Sequence, residues 1–183
     1  MREPRIRVRI GGRSDVYMQV PHEVRDATFG KGLFALERIP AGTCIWDRSR
    51  AVNLKVVSAS EAEEHVAKLD RGALRTLLEY AYFGADGELI DLSGDDGRLF
   101  NHSGSHSQRN VALGSVLLAA ARANGTSSSE GVDPGSTYAL RDIAANEELL
   151  DDYKSYHYEP QWYLDLLAEA GVDTSYLNEP ETP

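Results

Sequence analysis

Cysteine is nearly absent: Cys44 is the only one in 183 residues. A lone thiol excludes an internal disulfide and any zinc–thiolate cluster. The chain is therefore expected in a reducing, intracellular compartment, cytoplasm and nucleus being equivalent on this ground. Long apolar runs are missing too, and none approaches the length of a membrane span. Met1-Arg2-Glu3-Pro4-Arg5 leads into alternating residues rather than an apolar secretory segment, so neither leader nor membrane contact is expected. Basic charge is scarce: 19 Lys and Arg stand against 29 Asp and Glu, for a net charge of −10. That balance argues against direct nucleic-acid binding. It suits a cationic peptide partner, or simply keeps the protein soluble.

What remains is ordinary globular material. Hydrophobic residues make up 42% of the chain, and its length fits one domain, 1–183, with a sizeable core. Arg5 to Ile10 alternates strictly, with Ile6, Val8 and Ile10 on one face and three arginines on the other. This is the pattern of a half-buried strand. Gly11-Gly12 punctuates it, and Tyr17 to Val20 is placed to return as its partner.

An internal echo follows. Ala35-Leu36-Glu37-Arg38-Ile39-Pro40-Ala41-Gly42-Thr43-Cys44-Ile45 matches Ala139-Leu140-Arg141-Asp142-Ile143-Ala144-Ala145-Asn146-Glu147-Glu148-Leu149. Both read as strand, tight turn, strand, with Gly42 and Asn146 at the position that tolerates positive φ. The echo is either a duplicated β unit or two turns obeying the same local chemistry. In both cases it indicates a mainly β scaffold of short strands.

Helix is predicted over Ser60 to Leu78, within an insert of about 60–79, with Ser60 and Glu63 forming a capping box and Gly72 breaking it. Val66, Leu69, Ala73, Leu74, Leu77 and Leu78 make its apolar stripe. Asp86-Gly87 between apolar runs signals a hairpin. Val111 to Ala123 reads equally as strand or helix. Asn124 to Ser136, rich in Gly and Ser, reads as a mobile surface loop and a candidate for target selectivity. A C-terminal helix is predicted over about 160–171, covering Trp162 to Ala170 after Pro160 and stopping at Gly171. The tail from Asn178 to Pro183 is expected to fray.

Three segments carry chemistry. Gly30-Lys31-Gly32 opens a strand with two glycines, which lets backbone approach a ligand, although a plain turn has the same appearance. It lacks the third glycine and the helix of a dinucleotide site. Asn101-His102-Ser103 places an amide and an imidazole directly after apolar Leu99-Phe100, where polar groups need partners. His102 and His106 are four apart, but Gly104 and several serines disfavour the helix a metal pair would need, so no metal site is expected. Glu147 to Tyr153 ends an acidic run in a tyrosine, and Tyr156, Tyr158 and Trp162 follow closely. Such clustered aromatics can line a channel for an alkyl ammonium.

Gly30-Lys31-Gly32-Leu33-Phe34-Ala35, Arg98-Leu99-Phe100-Asn101-His102-Ser103 and Asn146-Glu147-Glu148-Leu149…Asp152-Tyr153 resemble, in this order, the successive motifs of SET-domain lysine methyltransferases. The resemblance covers about Thr28 to Trp162. It implies a mainly β fold of small antiparallel sheets with knot-like threading, one inserted helical segment and a C-terminal helix. It also implies transfer of a methyl group from S-adenosylmethionine to a lysine of a basic protein, a histone among the candidates. Lys31, Gly32 and Leu33 would line the cofactor through their backbones, Asn101 and His102 would hold it, and Arg98 would pair with its carboxylate. Trp162 would stack on its adenine. Tyr153 matches the catalytic tyrosine, and Tyr82, Asp151 and Tyr156 fall on the substrate side.

The chain departs from the family pattern in three places. Cysteine-rich flanking modules are missing. Gly104-Ser105-His106-Ser107 follows Ser103 where Cys-x-Pro-Asn is common, with Asn110 as a candidate for the final asparagine. Asp151 stands where many relatives carry an aromatic residue that helps set the number of methyls, so that number stays open. The same aspartate supports an alternative: a non-catalytic SET-like module that binds basic peptides. An unrelated β-rich interaction protein would require three ordered motifs to coincide by chance.

Overall fold

The structure, a computed structural model, describes residues 18–50, 54–84, 86–125, 131–156 and 158–175. The basic strand expected over Arg5 to Ile10 and the tail from Asn178 lie outside these residues. In chain order the strands are β1 (His22–Asp26), β2 (Lys31–Ala35), β3 (Cys44–Trp46) and β4 (Lys55–Val57). Helices α1 (Ala62–Ala67) and α2 (Arg71–Tyr80) precede β5 (Ala81–Phe83), β6 (Leu89–Asp91), β7 (Asn101–His102) and β8 (Val111–Leu113). Then come α3 (Gly114–Ala123), β9 (Thr137–Ala139), β10 (Leu150–Asp151) and α4 (Gln161–Ala170). They form four small sheets: β1–β2, β4–β6–β5 and β3–β9–β8, all antiparallel, and the parallel pair β7–β10.

The sequence echo is a structural duplication whose halves pair with each other. Ile39 and Ile143 exchange both backbone bonds at 2.9 Å. Gly42 N donates to Ala139 O at 2.8 Å, and its counterpart Asn146 N donates to Ala35 O at 2.7 Å. Ala139 N bonds Thr43 O just as Ala35 N bonds Glu147 O. Gly42 and Asn146 both take positive φ, +79° and +68°, the conformation in which L side chains crowd the backbone. This dyad centres the first core, where Leu33, Ala35, Ile39, Ile45, Val111, Ala139, Ile143 and Leu149 are essentially sealed from water.

The helical insert breaks in two, but at Asp70 rather than Gly72. The Asp70 carboxylate accepts from Gly72 N and Ala73 N, both at 2.9 Å, and so starts α2 afresh. Ser60 caps nothing; Glu61 takes the N-cap place of α1 without a side-chain bond, and its carboxylate accepts from Ser58 instead. Val66, Leu77 and Leu78 face a second core with Phe83, Leu89 and, from α4, Tyr163 and Leu167. Ala73, expected in the stripe, is exposed. The Asp86-Gly87 hairpin forms, with Phe83 opposite Leu89.

Val111 to Ala123 is both alternatives in succession, strand then helix. Residues 126–130 of the expected surface loop lie outside the described ones. Its end is built into the fold: Ser136 is fully buried, and Asp133 accepts from Gly135 N and Ser136 Oγ. The C-terminal helix ends where expected, at Gly171 in the left-handed region.

Candidate active site

Short strands deliver the motif residues to one place. β7 runs parallel to β10, with Asn101 opposite Leu150 and His102 opposite Asp151. Ser103 N donates to Asp151 O at 2.9 Å, and Asn110 N to Leu150 O at 3.0 Å. Successive carbonyls of a strand point to opposite edges, so the chain from 103 to 110 grips β10 from both sides. Asn110, only 1% exposed, completes the grip with its side chain. Its Nδ2 donates to Glu148 O (2.7 Å) and Glu147 Oε1 (3.0 Å), and its Oδ1 accepts from Leu150 N (2.8 Å).

Asn101 reaches the glycine strand from the same crossing. Its Nδ2 donates to Lys31 O at 3.2 Å and to Glu148 Oε1 at 2.7 Å. A Cβ on Gly32 would overlap Glu148 Oε1 and lie 2.8 Å from Asn101 Nδ2. Glycine here is what lets Glu148 and Asn101 close over the strand, and any side chain would push their ends aside. Leu33 is wholly buried, and its carbonyl accepts from Leu149 N at 2.8 Å. Lys31 is exposed, its ammonium 2.5 Å from Asp26 Oδ1. The exposed Lys31 ammonium, paired with Asp26, supplies donors at this strand end, and Glu148 and Asn101 Oδ1 supply acceptors, so groups of both kinds that a zwitterionic amino-acid group requires are present.

Tyr153 begins a 3-10 turn, Tyr153–Tyr156, directly after β10. Its backbone N–H donates to His102 Nδ1 at 3.1 Å, which assigns the imidazole proton to Nε2. Its hydroxyl donates to Phe100 O at 2.5 Å, and its ring lies 5.3 Å from that of His102. Asp152 beside it forms a half-buried ion pair with Arg109.

Tyr153 also lines a cavity of about 190 Å³, whose wall includes Tyr80, Tyr82, Arg98, Phe100, Asp151 and Tyr156. Tyr82 and Tyr156 meet edge to face at 5.1 Å. The Tyr156 hydroxyl donates to Asp151 Oδ2, and Asp152 N donates to Asp151 Oδ1 at 2.7 Å. Burial pushes the Asp151 carboxyl up to about 7, against those two hydrogen bonds. Burial likewise pushes the Tyr82 phenol up to about 12, and Tyr156 well above its ordinary range, with Asp151's charge adding to the effect. Arg98 donates to Asp95 O at 2.7 Å and sits 5.7 Å from the Tyr80 ring.

Ten of the eleven residues expected from the sequence therefore gather in two joined groups. Lys31, Gly32, Leu33, Asn101 and His102 surround the β2–β7 crossing. Arg98, Tyr82, Asp151, Tyr153 and Tyr156 line the cavity. Trp162 is outside both: it packs edge-on against Phe83 (5.9 Å) and Tyr163 (5.5 Å) in the second core. Sequence reading gave no role to Glu148 or to the Phe100 carbonyl, and backbone carbonyls leave no trace in residue type. Among the described residues, no three His, Cys, Asp or Glu side chains converge as a metal site would require.

The solved structures to which the chain is similar include two SET or methyltransferase proteins. One is the Neurospora SET domain protein DIM-5, a histone lysine methyltransferase, at 18% identity and TM-score 0.49, covering 79% of this chain and 56% of that one. The chain thus spans little more than half the length of that relative. The other, PFL0690c of Plasmodium falciparum, provisionally described as a histone methyltransferase, shares 19% identity at TM-score 0.43, covering 78% and 100%. No curated protein matches the chain significantly. The SET-domain family profile matches residues 30–154, which hold all three motifs, the crossing they form and the tyrosine at its end. The chain belongs to the SET-domain family.

Proposed function

We propose that this chain is a protein-lysine N-methyltransferase that takes its methyl group from S-adenosylmethionine and acts on a basic protein segment, a histone tail being one such. The observation that carries the reading is the juncture of two sites. The polar crossing of Asn101, Glu148 and Lys31 adjoins, through one hydrogen-bonded turn, a tyrosine-lined cavity with Tyr153 in its wall. When bound, S-adenosylmethionine supplies an electrophilic methyl on a positively charged sulfur. Asn101, Glu148 and Lys31 suit its zwitterionic end, and Gly32 lets the backbone approach. A cavity walled by Tyr82, Tyr153 and Tyr156 excludes water and so disfavours an ammonium relative to a free amine. The Tyr153 hydroxyl, tied to Phe100 O, keeps lone pairs with which to orient that amine. The acidic net charge draws cationic segments to the protein.

The test is transfer of labelled methyl to a mixture of basic proteins. Tyr153→Phe is expected to lower it about a hundredfold, as removal of a hydrogen bond at a reacting centre does. Full activity in that variant contradicts the assignment. Asp151, in place of an aromatic residue, favours a second reading as a peptide-binding module. That reading predicts binding of basic peptide with no affinity for S-adenosylmethionine.

A further inference from the structure

Asp151 is the feature that this function does not yet use. Its side chain is wholly buried yet forms part of the cavity wall. Each carboxylate oxygen accepts one hydrogen bond, from Tyr156 and from Asp152 N. A carboxylate offers about four acceptor sites, so two bonds leave acceptor capacity unused. Among the described residues no cation forms an ion pair with it: Arg109 is held by Asp152, whose negative charge opposes the effect of the guanidinium on Asp151, and Arg98 is turned to Asp95 O and the Tyr80 ring. The other titratable groups around it are Tyr156 and Tyr153 of the following turn, Tyr82 of β5 and His102 of β7. None of these supplies a fixed positive charge. A sealed carboxylate with no counter-ion needs either a proton or a cationic guest.

We infer that Asp151, oriented by the Tyr156 hydroxyl, receives the substrate's ammonium group and takes a proton from it. The inference rests on the lysine-transfer reading and adds a step to it. One N–H bond of R–NH3+ breaks and one O–H bond forms on Asp151. The products are a neutral amine bearing its lone pair and a neutral carboxylic acid that keeps its bond from Tyr156. Burial places the carboxyl near neutral, where a proton acceptor works best at cellular pH. A hydrophobic aromatic in this place would exclude water without accepting the proton. The aspartate therefore makes amine deprotonation a property of the protein rather than of the bulk solvent.

The probe is n-butylammonium, the lysine side chain's own analogue, titrated against the full chain by NMR, with n-butanol as the uncharged counterpart. The expected result is tighter binding of the cation than of the alcohol, with that preference fading as pH falls below about 7 and Asp151 becomes protonated. Asp151→Asn should abolish the preference. Tyr156→Phe, which removes the donor that favours the ionised carboxyl, should shift the fading upward by about one pH unit. Should Asp151→Asn fail to fold, Tyr156→Phe alone decides. In methyl transfer, the acidic limb of kcat/KM should move in the same way. An unchanged cation preference in Asp151→Asn, or an unmoved pH limb in Tyr156→Phe, overturns the inference while leaving lysine transfer intact. Conversely, an Asp151-dependent cation preference in a chain that methylates no peptide sustains the receptor and overturns the transferase.

Discussion

Asn110→Ala probes the crossing on which the site depends. The side chain is buried and makes three hydrogen bonds, two of them to the backbone of Glu148 and Leu150 at 2.7 and 2.8 Å. Truncation leaves Glu148 O and Leu150 N–H, both part-buried, without those partners. Each orphaned group costs about 1–2 kcal/mol, and the void left behind adds roughly 1 kcal/mol. The third bond matters less, because Glu147 keeps Arg141 at 2.7 Å and Ala144 N at 2.8 Å. The sum is about 3–5 kcal/mol, or roughly 10 °C in melting temperature for a chain of this size. Urea unfolding followed by circular dichroism measures it. Glu147→Gln serves as the comparison and should cost under about 1 kcal/mol, as exposed ion pairs do. A loss below about 1 kcal/mol in Asn110→Ala refutes the reasoning, since water would then be satisfying both groups.

Two further outcomes follow from the same geometry. Gly32→Ala should displace Glu148 and Asn101, whose side-chain ends occupy the space a Cβ needs. Calorimetry should then record at least about a tenfold loss of S-adenosylmethionine affinity, a penalty on the order of 1.4 kcal/mol in binding, with little change in melting temperature. Asp151 links stability to pH. Its folded pKa is raised to about 7, so between the ordinary carboxylate range and neutrality the folded chain holds the extra proton. Its contribution is fully present below about pH 4 and lost as pH rises through about 7. Asp151→Asn should therefore gain stability relative to the parent between about pH 4 and pH 7, by an amount on the order of a few kcal/mol, and no further above that. A constant difference across that window contradicts the burial assigned to this carboxyl.

Local chemistry was legible where one residue type decides one conformation. Gly42 and Asn146 announced their turns, Asp86-Gly87 its hairpin and Gly171 its helix end. The motif order announced the family. The break at Asp70 escaped because Gly72 is the weaker helix former, whereas the decisive event is a carboxylate capping two free N–H groups. Val111 to Ala123 resisted assignment because three strand residues run straight into a helix within one apolar stretch. Within the site, Glu148 lies inside the third motif, but nothing along the chain reveals that its carboxylate closes on Asn101 across the crossing. Trp162 shows the converse: a helix-borne aromatic has two candidate faces, and here its ring meets Phe83.

The proposal turns on the polar crossing at Asn101 and the tyrosine-lined cavity at Tyr153 serving one reaction. Mass spectrometry of a basic peptide library incubated with the chain and S-adenosylmethionine tests it most directly. The account predicts added methyl groups located by fragmentation on lysine side chains alone, absent with Asn101→Ala and reduced about a hundredfold with Tyr153→Phe. Bound cofactor without any methylated lysine, or methyl groups on other residues, would contradict it.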